Sequence, residues 1–221
     1  MTRLALLSLI LTLPAFAKGT DARMAEATNT LKEIMGTPDK SIPQELLNKA
    51  QCIVVVPGLK KGAFVVGAKY GRGFLSCRRK EMVGWSAPAG VRVEGGSFGF
   101  QIGGAETDVV MLILNDRGFE KLLSSKFTLG ADASVAAGPV GRTSSAETDA
   151  LMHAEILTWS RTRGAFAGIA LNGATLRQDA DANKDLYGAE IDNREIVMGG
   201  KQAPKSAAGF ISVLNKYSSR R

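Results

Sequence analysis

The chain has 221 residues, 45% of them hydrophobic, with 28 basic side chains against 21 acidic ones and a formal charge of +7. That length and apolar content are enough for one good core, and no stretch reads as a linker between two domains. A single histidine and two cysteines exclude the common His- and Cys-rich metal centres, and no apolar run reaches the roughly 20 residues that span a bilayer.

Residues 1–17 read as an export signal. Arg3 supplies a positive start, residues 4–13 a short apolar run, and Ala15-Phe16-Ala17 an A-x-A cleavage site before Lys18. No Cys follows the site, which argues against a lipid-anchored product. The expected mature chain, 18–221, is one exported domain, periplasmic or secreted. Residues 21–35 then form an amphipathic helix, because Met24, Ala27, Leu31, Ile34 and Met35 recur at three- and four-residue spacing before Gly36 and Pro38. A shorter helix is expected over 42–50, with Ser41 as its cap and Pro43 in its first turn.

Beyond Gln51 the period changes. The runs 52–57, 63–69, 74–78, 91–94, 97–103, 107–114 and 127–137 are short, β-branched or alternating, and glycine-rich breaks separate them, as antiparallel strands require. Cys52 and Cys77 each sit in such a run. They are either two buried thiols or a disulfide, which would close a loop of about 25 residues and contribute about 3 kcal/mol.

Residues 60–80 hold seven basic side chains (Lys60, Lys61, Lys69, Arg72, Arg78, Arg79 and Lys80) and no acidic one. Seven is also the net charge of the whole chain, so the excess is local. The stretch reads as a hairpin with a tight turn at Gly71, in which Phe64, Val66 and Phe74 face inward and the charges gather at the turn and ends. Such a patch favours an anionic partner. Further along, Asn115 caps a helix over 119–124. Gly164-Ala165-Phe166…Ala170…Gly173 echoes Gly62-Ala63-Phe64…Ala68…Gly71, which suggests two similar hairpins in one sheet. Helices over 182–187 and 206–217 close the chain. The fold class is α+β: a single domain with a strongly twisted or barrel-like antiparallel sheet and helices at the N- and C-termini.

Catalytic patterns are weak. His153 is the lone histidine, and no G-x-S-x-G elbow accompanies it. Glu106 and Asp108 suit a solvated strand end. The glycines near Gly58 and Gly71 complete neither a phosphate loop nor a dinucleotide fingerprint, and no cofactor is expected. Asp179, Asp181, Asn183, Asp185 and Glu190 fall at calcium-loop spacing, but Lys184 stands where the sharp turn needs glycine. The competing reading is that Asp179 or Asp181 caps a short helix ending at Gly188. Phe64, Tyr70 and Phe74 between the charges would suit nucleic-acid stacking. An export signal argues against that partner, which leaves an anionic membrane surface.

The blocks GLKKGAFVVGAKYGRGFLSCR, GWSAPAGVRVEGGSFGFQIGGAETDVVMLILN, FTLGADASVAAGPVGR and EILTWSRTRGAFAGIALNGATL closely resemble the SYLF domain family, in family order from about Leu31 to Gly188. The resemblance implies a non-enzymatic lipid-binding domain. Its eukaryotic members bind phosphoinositides and, in fungi, actin, and its bacterial members are stand-alone exported proteins. Lipid contact in the eukaryotic members is attributed to a basic N-terminal segment. Here Lys18, Arg23 and Lys32 are balanced by Asp21, Glu26 and Glu33, so that helix is neutral. The expected lipid contact moves to Lys60, Lys61, Lys69, Arg72, Arg78, Arg79 and Lys80, and the expected ligand is phosphatidylglycerol or cardiolipin. Actin binding is not expected to transfer. The alternatives are an envelope module that contacts an acidic protein or polysaccharide, and a cryptic hydrolase using His153.

Overall fold

The computed structural model describes residues 19–36, 41–63, 66–79, 84–98, 103–139, 153–162, 165–168 and 171–218, so the expected signal over 1–17 lies outside them. Two apolar runs, CIVVV and VVMLI, decide the architecture. Neighbours in a strand point to opposite faces, so an unbroken apolar run needs a sheet covered on both sides. These runs lie in β1 (Cys52–Ala63) and β4 (Gly103–Ile113), which pair at the centre of the sheet. Cys52, Val54, Val56, Val109, Met111 and Ile113 enter one core cluster, and Ile53, Val55, Val110 and Leu112 enter the other.

Around this pair stand β2 (Val66–Cys77), β3 (Ala89–Phe98), β5 (Lys126–Thr128), β6 (Val135–Ala137), β7 (Ile156–Thr162), β8 (Ala165–Gly168) and β9 (Thr175–Gln178). The strand order is β5-β9-β3-β2-β1-β4-β7-β6, with β8 also on β7. Phe127 and Leu176 from one edge share a core with Ile156 from near the other, so the sheet curls around that core. Helices α1 (Thr20–Gly36), α2 (Gln44–Lys49) and α6 (Ala208–Ser218) cover the opposite face through Met24, Leu31, Ile34, Leu47, Phe210 and Leu214. Two more, α3 (Asp116–Leu122) and α5 (Asn193–Met198), close the curled side through Phe119, Leu122, Ile196 and Val197. The last, α4 (Ala180–Tyr187), packs against β3 where Gly90 leaves room for Ala182. This is the expected α+β domain with helices at both termini.

Several local expectations need correction. From Val66 to Cys77 the runs 63–69 and 74–78 lie in one strand, β2, while Ala63 ends β1 and 64–65 lie outside the described residues, so Gly71-Arg72-Gly73 is mid-strand rather than a turn. The reason is a bulge in β1. Val55 pairs with Phe74 but Lys60 pairs with Tyr70, so β1 holds one residue more than β2 between these points. The bulge centres on Pro57-Gly58, with Gly58 at φ 60. A Cβ on Gly73 would lie 2.1 Å from the Val55 oxygen, and one on Gly71 would lie 2.7 Å from Val56 and Leu59. Both glycines are spaces for the bulge.

The runs 91–94 and 97–103 are not separate strands over their described part, since β3 is continuous to Phe98; residues 99–102 lie outside the described residues. The run 127–137 breaks at Gly130, φ 84, into β5 and β6, and β6 pairs parallel with β7, so the sheet is not wholly antiparallel. The cap position of α2 is not Ser41. Pro43 stands at the cap, and its carbonyl accepts from Leu46 and Leu47, each at 3.1 Å. The echo is not structural at its ends: Gly71 is mid-strand, whereas Gly173 sits in a turn at φ 77. Its Phe64, Gly164 and Ala170 lie outside the described residues. Asn115 does cap α3, accepting from the Gly118 amide at 2.9 Å.

Candidate functional site

The continuous basic stretch of the sequence becomes three separate places along the β1–β2 ribbon. From Lys69 to Arg78 is nine residues of strand, about 30 Å at a strand's rise of about 3.3 Å per residue. One end holds Arg78, the middle Arg72, and the other end Lys60, Lys61 and Lys69.

At the first end the ribbon is stapled. Cys52 and Cys77 face each other across the pair and are joined by a disulfide. Next to them the Arg78 guanidinium lies over the Trp85 ring, 4.0 Å from its centroid. It donates to the Leu47 carbonyl at 3.2 Å, the Ala50 carbonyl at 3.4 Å, and both the carbonyl and hydroxyl of Ser218. These carbonyls belong to the C-terminal ends of α2 and α6, where a cation is favoured. Arg78 is thereby a structural tie between two helices and the sheet. Arg79 follows, its amide donating to Gly84 at 3.4 Å, and Lys80 lies outside the described residues.

In the middle, Arg72 is held by Asp179. Its Nη2 donates to Asp179 Oδ1 at 2.6 Å and its Nε to Oδ2, and Asp179 is 1% exposed. The hydrogen bonds to Asp179 push the Arg72 pKa above its ordinary value. Asp179 also caps α4 by accepting from the Ala182 amide at 3.2 Å. Arg72 therefore holds the start of α4.

At the other end Lys61 pairs directly opposite Lys69, and Lys60 opposite Tyr70. Opposed side chains in such a pair are about 5 Å apart, and like charges there repel. Burial, then the charge of Lys69, pulls the Lys61 pKa below its ordinary value. On the β4 side Lys60 faces Glu106 and Lys61 faces Ala105. Among the described residues none of the three lysines joins an ion pair of 4.0 Å or less. Tyr70 beside them is 48% exposed, one of two large hydrophobics left on the described surface.

Helix α1 makes no contribution to this end with its apolar side. Met24, Ala27, Leu31 and Ile34 are at most 1% exposed and lie in the core. Arg161 on β7 pairs with Glu33 and with Asp108, the latter at 2.9 Å, and Thr20 donates to Asp185 at 2.6 Å. Glu106 and Asp108 also lie at the bulge, where the Gly58 amide donates to Asp108 at 2.9 Å. Burial pushes the Asp108 pKa up, and the Gly58 hydrogen bond offsets part of that.

The calcium-like string is a helix, which corrects the calcium-loop spacing. Asp179 is the cap of α4 and Gly188 ends it at φ 71, so Asp181, Asn183 and Asp185 are distributed around a helix instead of converging. Asn183 is committed to the Gly90 amide at 2.7 Å, the Ile191 carbonyl at 3.0 Å and Asn193 at 2.8 Å. Glu190 meets Lys184 at 3.5 Å. His153 borders an open depression of about 470 Å³ with Arg117, Asp132, Ser134 and Glu155. The Ser134 hydroxyl donates to the His153 main-chain carbonyl at 3.0 Å and lies 3.3 Å from Glu155, while the Ser134 amide donates to Glu155 at 2.7 Å. Ser134 thus meets His153 through backbone, which is the wrong contact for a hydroxyl activated by imidazole.

The structure also groups charges that the sequence keeps apart. Arg72 pairs opposite Arg92, Arg92 opposite Arg177, and Arg177 opposite Lys126. Arg92, Arg177 and Lys126 are each the single basic residue of their strand, and Arg72 belongs to the basic stretch, so no local signal marks the row. Only the order β5-β9-β3-β2 brings it together.

Comparison with known proteins adds a family. The family described as "Ysc84: Las17-binding protein actin regulator" matches residues 94–217. SH3 domain-containing YSC84-like protein 1 of Rattus norvegicus is 30% identical over 211 residues, covering 94% of this chain and 62% of that protein. Its Xenopus laevis counterpart is 32% identical over 187 residues, 83% of this chain and 55% of its own length. Protein YSC84 of Saccharomyces cerevisiae is 29% identical over 181 residues, 80% of this chain and 38% of its own. The chain thus spans less than two thirds of each of these relatives.

Proposed function

Because this chain belongs to the Ysc84 family, the one its motifs resemble under the name SYLF, we propose that it binds anionic phospholipid surfaces reversibly and without catalysis. The contact is the lysine end of the β1–β2 ribbon, with Lys61 and Lys69 on one face of it and Lys60 and the exposed Tyr70 on the other. The observation that carries this reading is the direct cross-strand pairing of Lys61 with Lys69, with no carboxylate in ion-pair range among the described residues. Two like charges on side chains whose Cβ atoms lie about 5 Å apart repel, and an anionic surface relieves that cost. Each lysine close to such a surface is worth about 1 kcal/mol, so three give binding that is useful and easily weakened by salt. Tyr70 adds an amphipathic ring suited to a headgroup layer.

The reading includes export, after removal of residues 1–17, and an envelope lipid such as phosphatidylglycerol or cardiolipin as ligand. Actin regulation, named in the family description, stays with the longer relatives and is not part of the proposal. Flotation with phosphatidylglycerol-containing and purely zwitterionic vesicles tests it. Binding to the anionic vesicles alone, falling as salt rises, is expected. Equal binding to both, or to neither, refutes the proposal.

A further inference from the structure

The cross-strand row of Arg72, Arg92, Arg177 and Lys126 stands apart from the lysine end and needs its own explanation. Strands lie about 4.8 Å apart, so the four rungs cover about 14 Å. Directly opposed like charges destabilise a sheet, and here three such pairs follow one another.

Alternation fixes which face the row is on. Val91, Val93, Leu176 and Phe127, its immediate chain neighbours, point into the curled core. Arg92, Arg177 and Lys126 therefore point to the other face. Arg92 and Arg177 keep side-chain exposures of 36% and 38% there, and Lys126 is exposed. Arg72, two residues before the Phe74 of the helix-covered core, shares that face. Arg23 of α1 lies close enough for Arg72 to depress its pKa, after burial itself.

The negative charge available is small. Asp179 is engaged by Arg72, and Asp181 is a weaker, more distant influence on the same group. Among the described residues only Glu94 serves the outer rungs: its Oε1 is 3.0 Å from Arg92 Nε and its Oε2 is 3.5 Å from Arg177 Nε. Yet both Nε atoms are screened from solvent and donate to no hydrogen-bond acceptor among the described residues, so the carboxylate is not aligned with either N–H. Glu94, two residues from Arg92 in β3, thus spreads one carboxylate over two guanidinium groups and is aligned with neither Nε–H. A tetrahedral dianion has oxygens diverging in the directions needed, and guanidinium is the side-chain group that matches it in pairs.

We propose that the Arg92–Arg177 pair, extended by Arg72 and Lys126, is a binding site for phosphate groups, with Glu94 as a built-in competitor. Arg92 and Arg177 lie on other strands than the lysine end, although Arg72 neighbours Tyr70 in β2, and neither reading depends on the other. The ligand chemistry is a phosphate monoester or a short run of linked phosphates, either free in solution or on a lipid headgroup.

Titration of the whole protein with inorganic tripolyphosphate tests the site, followed by calorimetry and by the Nε–Hε resonances of Arg92 and Arg177. Saturable binding that shifts both resonances is expected. Replacing both residues, as R92Q with R177Q, weakens binding at least tenfold, and E94Q strengthens it several-fold by removing the competitor. A row that serves only structure predicts the opposite for E94Q: lower stability and no gain in affinity, which overturns the proposal. Should the double variant fold poorly, E94Q and K126Q alone still decide, since unchanged affinity in both overturns it. Vesicles containing phosphatidic acid, compared with phosphatidylglycerol at equal charge, separate the sources. Preference for phosphatidic acid that R92Q abolishes assigns headgroup phosphate as well, and tripolyphosphate binding without that preference assigns soluble phosphate. Binding of neither refutes the site. A variant with Lys60, Lys61 and Lys69 replaced by Gln keeps its tripolyphosphate affinity, so failure of the lipid reading leaves this result untouched.

Discussion

Arg78 shows how a charge counted as surface in the sequence becomes an internal fastener. Its guanidinium meets four carbonyl or hydroxyl oxygens on two helix ends while stacked on Trp85. Hydrogen bonds to a charged group contribute about 1.5–3 kcal/mol each in favourable cases, and these share one donor set. Arg78→Gln should lower unfolding free energy by about 3 kcal/mol, read by denaturant titration, and leave vesicle binding of the folded protein unchanged. Tyr187 supplies a pH-dependent counterpart. Burial pushes its pKa above the ordinary 10.0, and its hydroxyl donates to the Pro88 carbonyl at 2.6 Å. The folded state therefore keeps a proton that the unfolded chain releases, so stability falls as pH rises above the ordinary tyrosine value. Tyr187→Phe should cost about 1 kcal/mol at neutral pH and flatten the alkaline arm of a stability–pH curve.

At the scale of elements, the β1–β2 ribbon explains what was legible and what was not. The apolar runs of β1 and β4 were readable because a sheet covered on both faces needs them unbroken. Helices α1, α3 and α4 were readable from periodicity and from Asn115 and Asp179 at their caps. The bulge at Pro57-Gly58 was not, because the glycines that answer it, Gly71 and Gly73, lie on the neighbouring strand and look like a turn in isolation. The same non-locality hid the row of Arg72, Arg92, Arg177 and Lys126, and it turned one basic stretch into three places. Cys52 and Cys77 were legible as a candidate pair, and strand register makes them partners. Cys52→Ser with Cys77→Ser should lower stability by about 3 kcal/mol without changing the vesicle-bound fraction, since the bond lies at the far end of the ribbon from the lysines.

Across the whole molecule, one curled sheet carries its charge in distinct roles. Arg78 and Arg161 tie helices to it, Arg72 holds the start of α4, and the lysine end is left without a carboxylate partner among the described residues. The apolar side of α1 is taken up by the core, so lipid contact in this account is electrostatic and comes from the sheet. The most direct measurement is flotation of a Lys60→Gln, Lys61→Gln, Lys69→Gln variant with anionic vesicles at low salt, beside the parent protein and with the melting temperature of both. Loss of about 3 kcal/mol of surface attraction predicts a vesicle affinity lower by on the order of 100-fold, at unchanged or slightly raised stability because the Lys61–Lys69 repulsion is gone. Undiminished flotation of a folded triple variant would contradict the account.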